Sequence, residues 1–448
     1  MQKNYVTIIL AIFQFFTLSV FADNGVSLRV VSSENGIALL GTSDKVDLQV
    51  INESDIPIAS IGYVIITNRK TSPEMHINFD TPLSVYNNNF VLSVDVPADD
   101  EAGYFTKKIR ITKVNEQANL SASNEAEMVF YTVTNLAQRR VVMEEYTGIW
   151  CGFCPKGEAA LNRIDDEYGS KVVSISIHQG DVLESEEYTA AGLMPGSYPK
   201  ASLNRILTKL DPYKGTATGN EVNCAIRNDI DRILKKSAEA SVECAPQWTN
   251  DSRTAINPNA EITFYFNNRS SRYAVGYVLL EDGMSGSGKN WAQSNYFTNN
   301  NYSWQFIGDE YMREFLEGPE YIYGKIYDRV AVAAFGIQRG LPSSIPSPIV
   351  ADEVFSHDFQ VAATSEKIQN KDNLRLAVLL FNINTGEIIN AAMAKIGENS
   401  YTGIKRQDEN QLTIVARYSA NGMQIETPQR GINILRMSDG SIKKVVVK

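Results

Sequence analysis

Two cysteines separated by two residues lie where a strand-like run changes into a helical pattern, and this junction limits the possible folds more than any other segment. The segment reads Glu144-Glu145-Tyr146-Thr147-Gly148-Ile149-Trp150-Cys151-Gly152-Phe153-Cys154-Pro155-Lys156. A run of strand type, 140–146, leads into it, and apolar residues recur at helical spacing from Ala159 to Ile164. The sequence therefore predicts that both thiols lie on the first turn of a helix that follows a strand.

The start of a helix favours a thiolate, because unpaired backbone N–H groups and the positive end of the helix dipole lie there. A dithiol in such a place can exchange disulfides with another protein. We expect Cys151 to be the exposed thiol that reacts with the partner. Cys154, one turn further into the helix, would then resolve the mixed disulfide.

Two other interpretations of the cysteine pair stay open. Half of a zinc site is one, but structural zinc needs four ligands, usually from a second pair at similar spacing. The three histidines, His76, His178 and His357, are scattered along the chain, and so are the other two cysteines. We therefore expect no metal. An inert structural disulfide is the other interpretation, because oxidising compartments preserve such bonds.

The remaining cysteines are Cys224, in a predicted long amphipathic helix over 220–236, and Cys244, at the start of the next strand run. The chain geometry allows them to meet, and an exported protein favours a bridge. We expect a structural disulfide between them. Two separately buried free cysteines are the alternative.

The N-terminus predicts export. Residues 1–22 combine a lysine, a short apolar run and a small-residue exit at Ala22, which is typical of a secretory signal peptide. The run is short and Gln14 interrupts it, so a membrane anchor is disfavoured. No cysteine lies near the expected cleavage point to carry a lipid.

The length and the net charge of the chain limit the number of domains and the class of partner. The chain has 448 residues, enough for about three domains. Its formal net charge of -10 argues against a nucleic-acid partner, since such proteins present basic faces.

The chain predicts a multidomain protein that combines α/β and all-β parts. Residues 23–137 consist of strand runs and turns, which favour a β-sandwich of immunoglobulin-like architecture. Residues 138–243 change to a strand–helix–strand–helix order, which predicts a parallel crossover and an α/β domain. Residues 244–398 return to strand runs and predict a second β-sandwich. Residues 404–448 read as a small β module with turns between short strands.

A long connection rich in asparagine, glycine and aromatic residues lies at 281–317. Loops of this length are usually functional or ordered by packing. One interpretation is a binding surface for a glycan or peptide, because flat rings with amides around them suit both. The other is that the rings cover an open edge of the β-sandwich.

The segment 138–243 resembles the thioredoxin superfamily. Trp150-Cys151-Gly152-Phe153-Cys154 matches that family's Trp-Cys-x-x-Cys motif. Glu145 lies where the family places a buried acid behind the cysteines, and Pro199 falls where it has a cis-proline. Phe153, Pro155 and Lys200 depart from its best-known reductases, which leaves the redox potential and the direction of transfer open.

The resemblance implies roles for these residues. Glu145 would carry a proton to or from Cys154, since a carboxyl buried in an apolar strand has a raised pKa. Pro199 would keep the strand edge open, and Tyr198 and Trp150 would contact the partner. Partners would be protein thiols or disulfides, with no organic cofactor.

The C-terminal segment resembles the sorting domains of the type IX secretion system. The resemblance rests on Gly431-Ile432-Asn433-Ile434-Leu435-Arg436-Met437-Ser438-Asp439-Gly440, closed by Lys443-Lys444-Val445-Val446-Val447-Lys448. It implies the type IX secretion machinery as a partner and a location at the outer-membrane surface or outside the cell. From about residue 138 to 397, the chain also resembles the outer-membrane protein twenty-eight family of surface proteins.

The sequence thus predicts an exported thiol–disulfide oxidoreductase. The competing hypothesis is a surface binding protein or adhesin in which Cys151 and Cys154 form a static bridge. A fold alone does not decide between them.

Overall fold

The computed structural model describes residues 25–68, 70–85, 89–218, 224–306 and 308–398, and near the C-terminus 414–419, 423–425, 427, 429–437 and 442–447. The predicted signal peptide lies outside these ranges, as does the first part of the predicted sorting domain. Strands predominate in the described residues, and helices are few. The chain divides into two compact units, Met1–Val133 and Thr134–Lys448.

The first unit is built of strands. They are β1 (Leu28–Ser33), β2 (Gly36–Leu39), β3 (Ser43–Asn52), β4 (Ile58–Thr67), β5 (Lys70–Thr71), β6 (Met75–Leu83), β7 (Phe90–Pro97), β8 (Gly103–Val114), β9 (Gln117–Ala118) and β10 (Glu125–Val133).

These strands form two sheets that share one core. One sheet has the order β1-β3-β7; the other has the order β2-β10-β8-β4-β5, with β6 on β4 and β9 on β8. Val46, Leu48 and Val50 alternate inward along β3 and pack with Ile109 and Ile111 of β8. This packing of two sheets confirms the β-sandwich expected there.

The second unit mixes strands with short helices. Its elements are β11 (Val141–Thr147), α1 (Pro155–Tyr168), β12 (Val172–His178), α2 (Glu186–Ala190), β13 (Lys200–Leu203), β14 (Leu207–Leu210), α3 (Ile226–Leu234), β15 (Ala240–Glu243), β16 (Gln247–Trp248), β17 (Ala255–Asn257), β18 (Glu261–Phe264), β19 (Tyr273–Glu281), β20 (Gln293–Ser294), α4 (Arg313–Glu317), β21 (Tyr321–Ile322), β22 (Val330–Phe335), β23 (Val354–Ser356), β24 (Val361–Ala362), β25 (Leu374–Asn382), β26 (Ile388–Lys395), β27 (Ile414–Ser419), β28 (Gly431–Met437) and β29 (Ile442–Val447). Short 3-10 helices occupy Gly169–Lys171, Lys289–Trp291, Thr298–Asn300, Ser303–Gln305, Glu310–Met312 and Lys371–Asn373.

One eight-stranded sheet dominates this unit, in the order β14-β13-β11-β12-β22-β19-β25-β26. β11 and β12 are parallel and α1 connects them, which confirms the predicted crossover. β13 runs antiparallel to β11 on its other side.

The sheet continues across the predicted boundary at residue 243. Strands expected in a separate C-terminal β-sandwich instead extend the sheet that contains β11 and β12. The reason lies in β19 and β25, whose residues are buried almost without interruption. Strands that are covered on both faces have continuous runs of apolar residues in their sequence, and they lie in the middle of a sheet. Smaller sheets, β15-β18-β23 and β16-β17-β24, accompany the large one.

Residues of β11 alternate between the two faces of the sheet. Val141 and Met143 join the core that contains residues of α1 and α3, whereas Val142 and Tyr146 join the core on the opposite face. The same alternation directs Glu145 toward α1.

The last strands form a separate sheet, β27-β28-β29, with antiparallel pairing. Within the described ranges, no helix is long and apolar enough to cross a membrane.

Candidate functional site

Cys151 and Cys154 form a disulfide at the start of α1, with their Cα atoms 5.3 Å apart. Cys154 is the residue before the helix, and Pro155 opens it, a position where the missing N–H of proline costs no helical hydrogen bond. Cys151 is 6% exposed and Cys154 2%. The expectation that Cys151 is exposed is therefore wrong, although Cys151 remains the more accessible of the two.

The cause of this burial is the segment 293–296, which packs on the cysteine loop. The backbone N–H of Ser294 donates to the carbonyl oxygen of Ile149 at 2.8 Å, and that of Tyr296 donates to the carbonyl oxygen of Gly152 at 2.9 Å. The Gln293 side chain donates to the carbonyl oxygen of Cys151 at 3.2 Å. Any side chain at position 152 would begin only 2.4 Å from the Tyr296 ring, so this close approach requires glycine.

Aromatic rings extend the contact on the helix side of the loop. Phe153 meets Tyr296, Phe297 and Tyr302 edge to face, with centroids 5.1, 6.0 and 5.9 Å apart. The aromatic connection predicted at 281–317 thus lies partly on the dithiol loop, a placement that neither interpretation of its sequence included.

Asp181 holds the other end of the loop. One of its carboxylate oxygens accepts from the backbone N–H of Ile149 at 2.7 Å and lies 2.9 Å from Nδ1 of His178. The other oxygen accepts from the backbone N–H of Leu183 at 2.8 Å. Burial alone would raise the pKa of Asp181, but His178 and the two N–H donors hold this pKa below its usual value.

Trp150, which precedes Cys151 in the chain, lies against Tyr198, the residue before Pro199. Trp150 is 52% exposed, its indole N–H donates to the carbonyl oxygen of Gln179 at 2.7 Å, and its ring meets Tyr198 edge to face at 5.5 Å. The Tyr198 hydroxyl hydrogen-bonds the Gln179 side chain. The Tyr198–Pro199 peptide bond is cis, as the resemblance implies.

Glu145 is buried behind α1. The Glu145 side chain lies against Gly157, where an added Cβ would come within 2.2 Å of its Oε1. That oxygen has no hydrogen-bond partner among the described residues. Burial raises the pKa of Glu145 well above its usual value and the Glu158 carboxylate raises it further, while Thr147 and Arg329 oppose the increase.

Replacing Glu145 with Gln is expected to flatten the pH dependence of stability. The raised pKa means that the folded protein holds the Glu145 proton more tightly than the unfolded chain does. The stability that this proton contributes is complete below the ordinary pKa of 4.5 and is lost as pH rises through the raised value. Urea titrations should therefore find the variant more stable near neutral pH and the difference small below 4.5. Glu127→Gln, at an exposed position, should not reproduce this trend.

A charged network lies near Glu145 that the sequence analysis did not identify. Lys325, 7% exposed, pairs with Glu158 at 2.6 Å and with Glu314 at 3.0 Å. Arg329 pairs with Asp165 at 2.8 Å. Lys325 and Arg329 come from the segment between β21 and β22, far from the cysteines in sequence, so no local pattern could identify them.

The predicted bridge between Cys224 and Cys244 is absent, and both are buried thiols. Cys224 belongs to the core around α1 and α3. Cys244 instead lies near Tyr277 of β19, where burial, and to a smaller extent Cys244, raises the pKa of the phenol. The two side chains therefore occupy different surroundings.

Both thiols are expected to resist alkylation in the native protein. Burial raises the pKa of Cys224 to about 12, against the opposing effect of Arg163 and Arg227, so little thiolate is present. Mass spectrometry without reduction should find no iodoacetamide on the native chain and two additions after unfolding. A chain that takes up none after unfolding would instead contain the bridge.

No protein-family model and no curated protein matches the chain. Among solved structures, HBP35 of Porphyromonas gingivalis is 16% identical, with 70% of this chain and 99% of that chain covered and a TM-score of 0.38. Protein AGR_C_4864 from Agrobacterium tumefaciens is 16% identical over 59% of this chain and 96% of that chain, with a TM-score of 0.28. The CARDB domain of the PF1109 protein from Pyrococcus furiosus is 14% identical over 25% of this chain and 96% of that chain, with a TM-score of 0.18. At these identities and TM-scores, the similarities support no statement about function.

Proposed function

We propose that this protein is an exported thiol–disulfide oxidoreductase, with Cys151 and Cys154 as its redox pair in a thioredoxin-like segment. The strand order β14-β13-β11-β12, with β11 and β12 parallel and β13 antiparallel, supports the segment. The disulfide at the start of α1 and Pro199 just before β13 support the site.

The observation that carries the redox proposal is Glu145. A buried carboxyl with an unpartnered oxygen is unfavourable for stability. A static disulfide needs no such group beside its helix. A dithiol that opens and closes does, because the thiolate released inside the protein must gain a proton and later lose it.

The exchange then proceeds as follows. A partner thiolate attacks Sγ of Cys151, the bond to Sγ of Cys154 breaks, and Cys154 leaves as a thiolate. The protonated carboxyl of Glu145 supplies the proton that neutralises Cys154, and the partner is joined to Cys151. A second partner thiolate releases the product, so that one protein disulfide is formed and the Cys151–Cys154 pair is reduced.

Turnover of a disulfide-bonded protein substrate tests the same exchange in the opposite direction, in which the Cys151–Cys154 pair starts reduced and the substrate disulfide is broken. The wild-type protein, kept reduced by dithiothreitol, should accelerate substrate reduction well above the rate with dithiothreitol alone. Cys151→Ser should remove the acceleration, while Cys224→Ser should retain it. Equal rates with wild type and Cys151→Ser would contradict the redox proposal.

The proposed location is the cell surface or the surrounding medium, reached through the type IX secretion machinery. The resemblance of the C-terminal segment to type IX sorting domains supports this location. The described strands of that segment form a sheet separate from the one that carries the disulfide. Deleting Gly431 to Lys448 is expected to leave a folded, redox-competent protein in the periplasm. Cell fractionation with surface proteolysis measures this, and a truncated protein that still reached the surface would contradict the sorting role.

A second candidate is a surface binding protein with a static Cys151–Cys154 bridge. The observation in its favour is the burial of both cysteines under the segment 293–296. It predicts a disulfide that ordinary thiol reductants open only after unfolding.

A further inference from the structure

We propose that a cavity between Trp150, the segment 289–296 and Tyr321 binds a cysteine-bearing peptide of another protein, with an apolar side chain next to its cysteine and an acidic residue further along. This inference rests on the proposed redox function and specifies its substrate.

The cavity lies beside the loop that carries the two cysteines. Its volume is about 720 Å³, within the range of ligand pockets, and its walls include Ile149, Trp150 and Tyr296. Trp150 immediately precedes Cys151, and Tyr296 is anchored to the backbone of Gly152. An extended peptide whose cysteine reaches Cys151 from this side therefore places its neighbouring residue in the cavity.

The walls favour an apolar side chain. Trp150, Tyr296 and Tyr321 are exposed by 52%, 49% and 39%, and all three contribute to the cavity. Ala292, 3% exposed, adds an apolar surface. Large rings left open to water around a reactive bond bury favourably against an aromatic or aliphatic group of the partner.

The charges favour an acidic peptide. Among the described residues that line the cavity, only Asp181 and Lys289 are charged. Asp181 is buried and its carboxylate is occupied by His178 and backbone N–H groups. Lys289 is exposed, with its ammonium 5.8 Å from the Tyr321 ring centroid, and offers a positive charge at the edge of the aromatic wall.

The proposal is tested with the Cys154→Ser protein in its reduced form, which holds the partner on Cys151. Three peptides are prepared as mixed disulfides with thionitrobenzoate: one with phenylalanine beside the cysteine and an aspartate further on, one with glycine in place of phenylalanine, and one with lysine in place of aspartate. Glutathione with the same leaving group serves as the small-molecule probe. The Cys151 thiolate attacks the peptide sulfur, the peptide–thionitrobenzoate bond breaks, and the coloured thionitrobenzoate thiolate is measured.

The phenylalanine–aspartate peptide is expected to react about tenfold faster than the glycine peptide, as the burial of one aromatic side chain implies. It should also react faster than the lysine peptide. Tyr321→Ala should reduce the first preference and Lys289→Glu the second. Lys45→Glu, the same charge change at a site in the first unit with 69% of its side chain exposed, should change neither.

Three other results have distinct meanings. Equal rates for all three peptides, or a preference that survives Tyr321→Ala and Lys289→Glu, would overturn the binding cavity while leaving the redox function intact. A glutathione probe that reacts faster than every peptide would assign the cavity to small thiols and overturn the peptide proposal. Failure of every probe, glutathione included, would contradict the redox function itself.

Discussion

Cys154→Ser is expected to accumulate covalent complexes with partner proteins, whereas the wild-type chain releases them. Cys151 is the more accessible of the two cysteines at the start of α1, and its disulfide partner is Cys154. Without Cys154, the mixed disulfide on Cys151 has no neighbouring thiol to break it. Non-reducing electrophoresis of the variant expressed in its host should show high-mass species that disappear on reduction.

Cys151→Ser is the matched variant, because it removes the attacking sulfur and leaves Cys154 at 2% exposure. It should form no such species. Loss of exchange should reach at least about a hundredfold in rate, since removing a nucleophile removes the pathway and not only one contact. Equal trapping by both variants, or trapping that depends on Cys224, would assign the chemistry to other residues.

Arg205→Met is expected to lower the free energy of unfolding by about 3–5 kcal/mol, the cost of leaving a buried charge without its partner. The Glu144 carboxylate, on the face of β11 opposite Glu145, is fully buried. Arg205 binds it through both oxygens, at 2.8 and 2.6 Å. Urea unfolding near neutral pH measures the change.

A double variant separates the lost pair from lost packing. Glu144→Gln combined with Arg205→Met removes both charges and should recover a large part of the loss, because no buried charge remains. Lys45→Met breaks an exposed pair with Asp95 and should cost less than about 1 kcal/mol. An Arg205→Met effect as small as that of Lys45→Met would show that the buried pair contributes little.

The parts of the site that lie close together in sequence were predictable from it. The strand, the cysteine pair and the helix form one continuous segment, and local periodicity identifies each. Glu145 lies in the same segment, but its assignment as a buried acid behind the cysteines came from the family resemblance. Pro199 needed the family resemblance, since sequence alone makes a cis bond improbable.

The other features of the site depend on contacts between residues that are far apart in the sequence. Ser294 and Tyr296 bind the backbone of the cysteine loop from more than a hundred positions away, and nothing in their own segment indicates that target. Their contact with this loop explains why Cys151 is buried. Lys325 and Arg329 also lie near Glu145 although they come from a segment that is distant in sequence.

The domain boundary at residue 243 and the bridge between Cys224 and Cys244 could not be decided from the sequence for a different reason. Apolar runs such as β19 and β25 fit a sandwich core and the centre of a mixed sheet equally well. Only strand pairing distinguishes the two, and it joins these runs to β12 through β22. For Cys224 and Cys244, short separation along the chain allowed a bridge, but burial in different surroundings keeps the sulfurs as separate thiols.

The most direct test of the account is the reduction potential of the Cys151–Cys154 pair in the folded, mature protein, measured by equilibration against glutathione or dithiothreitol buffers. An exchanging dithiol is expected to have a potential between about -270 and -120 mV. Glu145→Gln, measured in parallel, should change how this potential varies with pH. A potential below about -300 mV, unaffected by Glu145→Gln at any pH, would identify a structural bond and contradict the redox function.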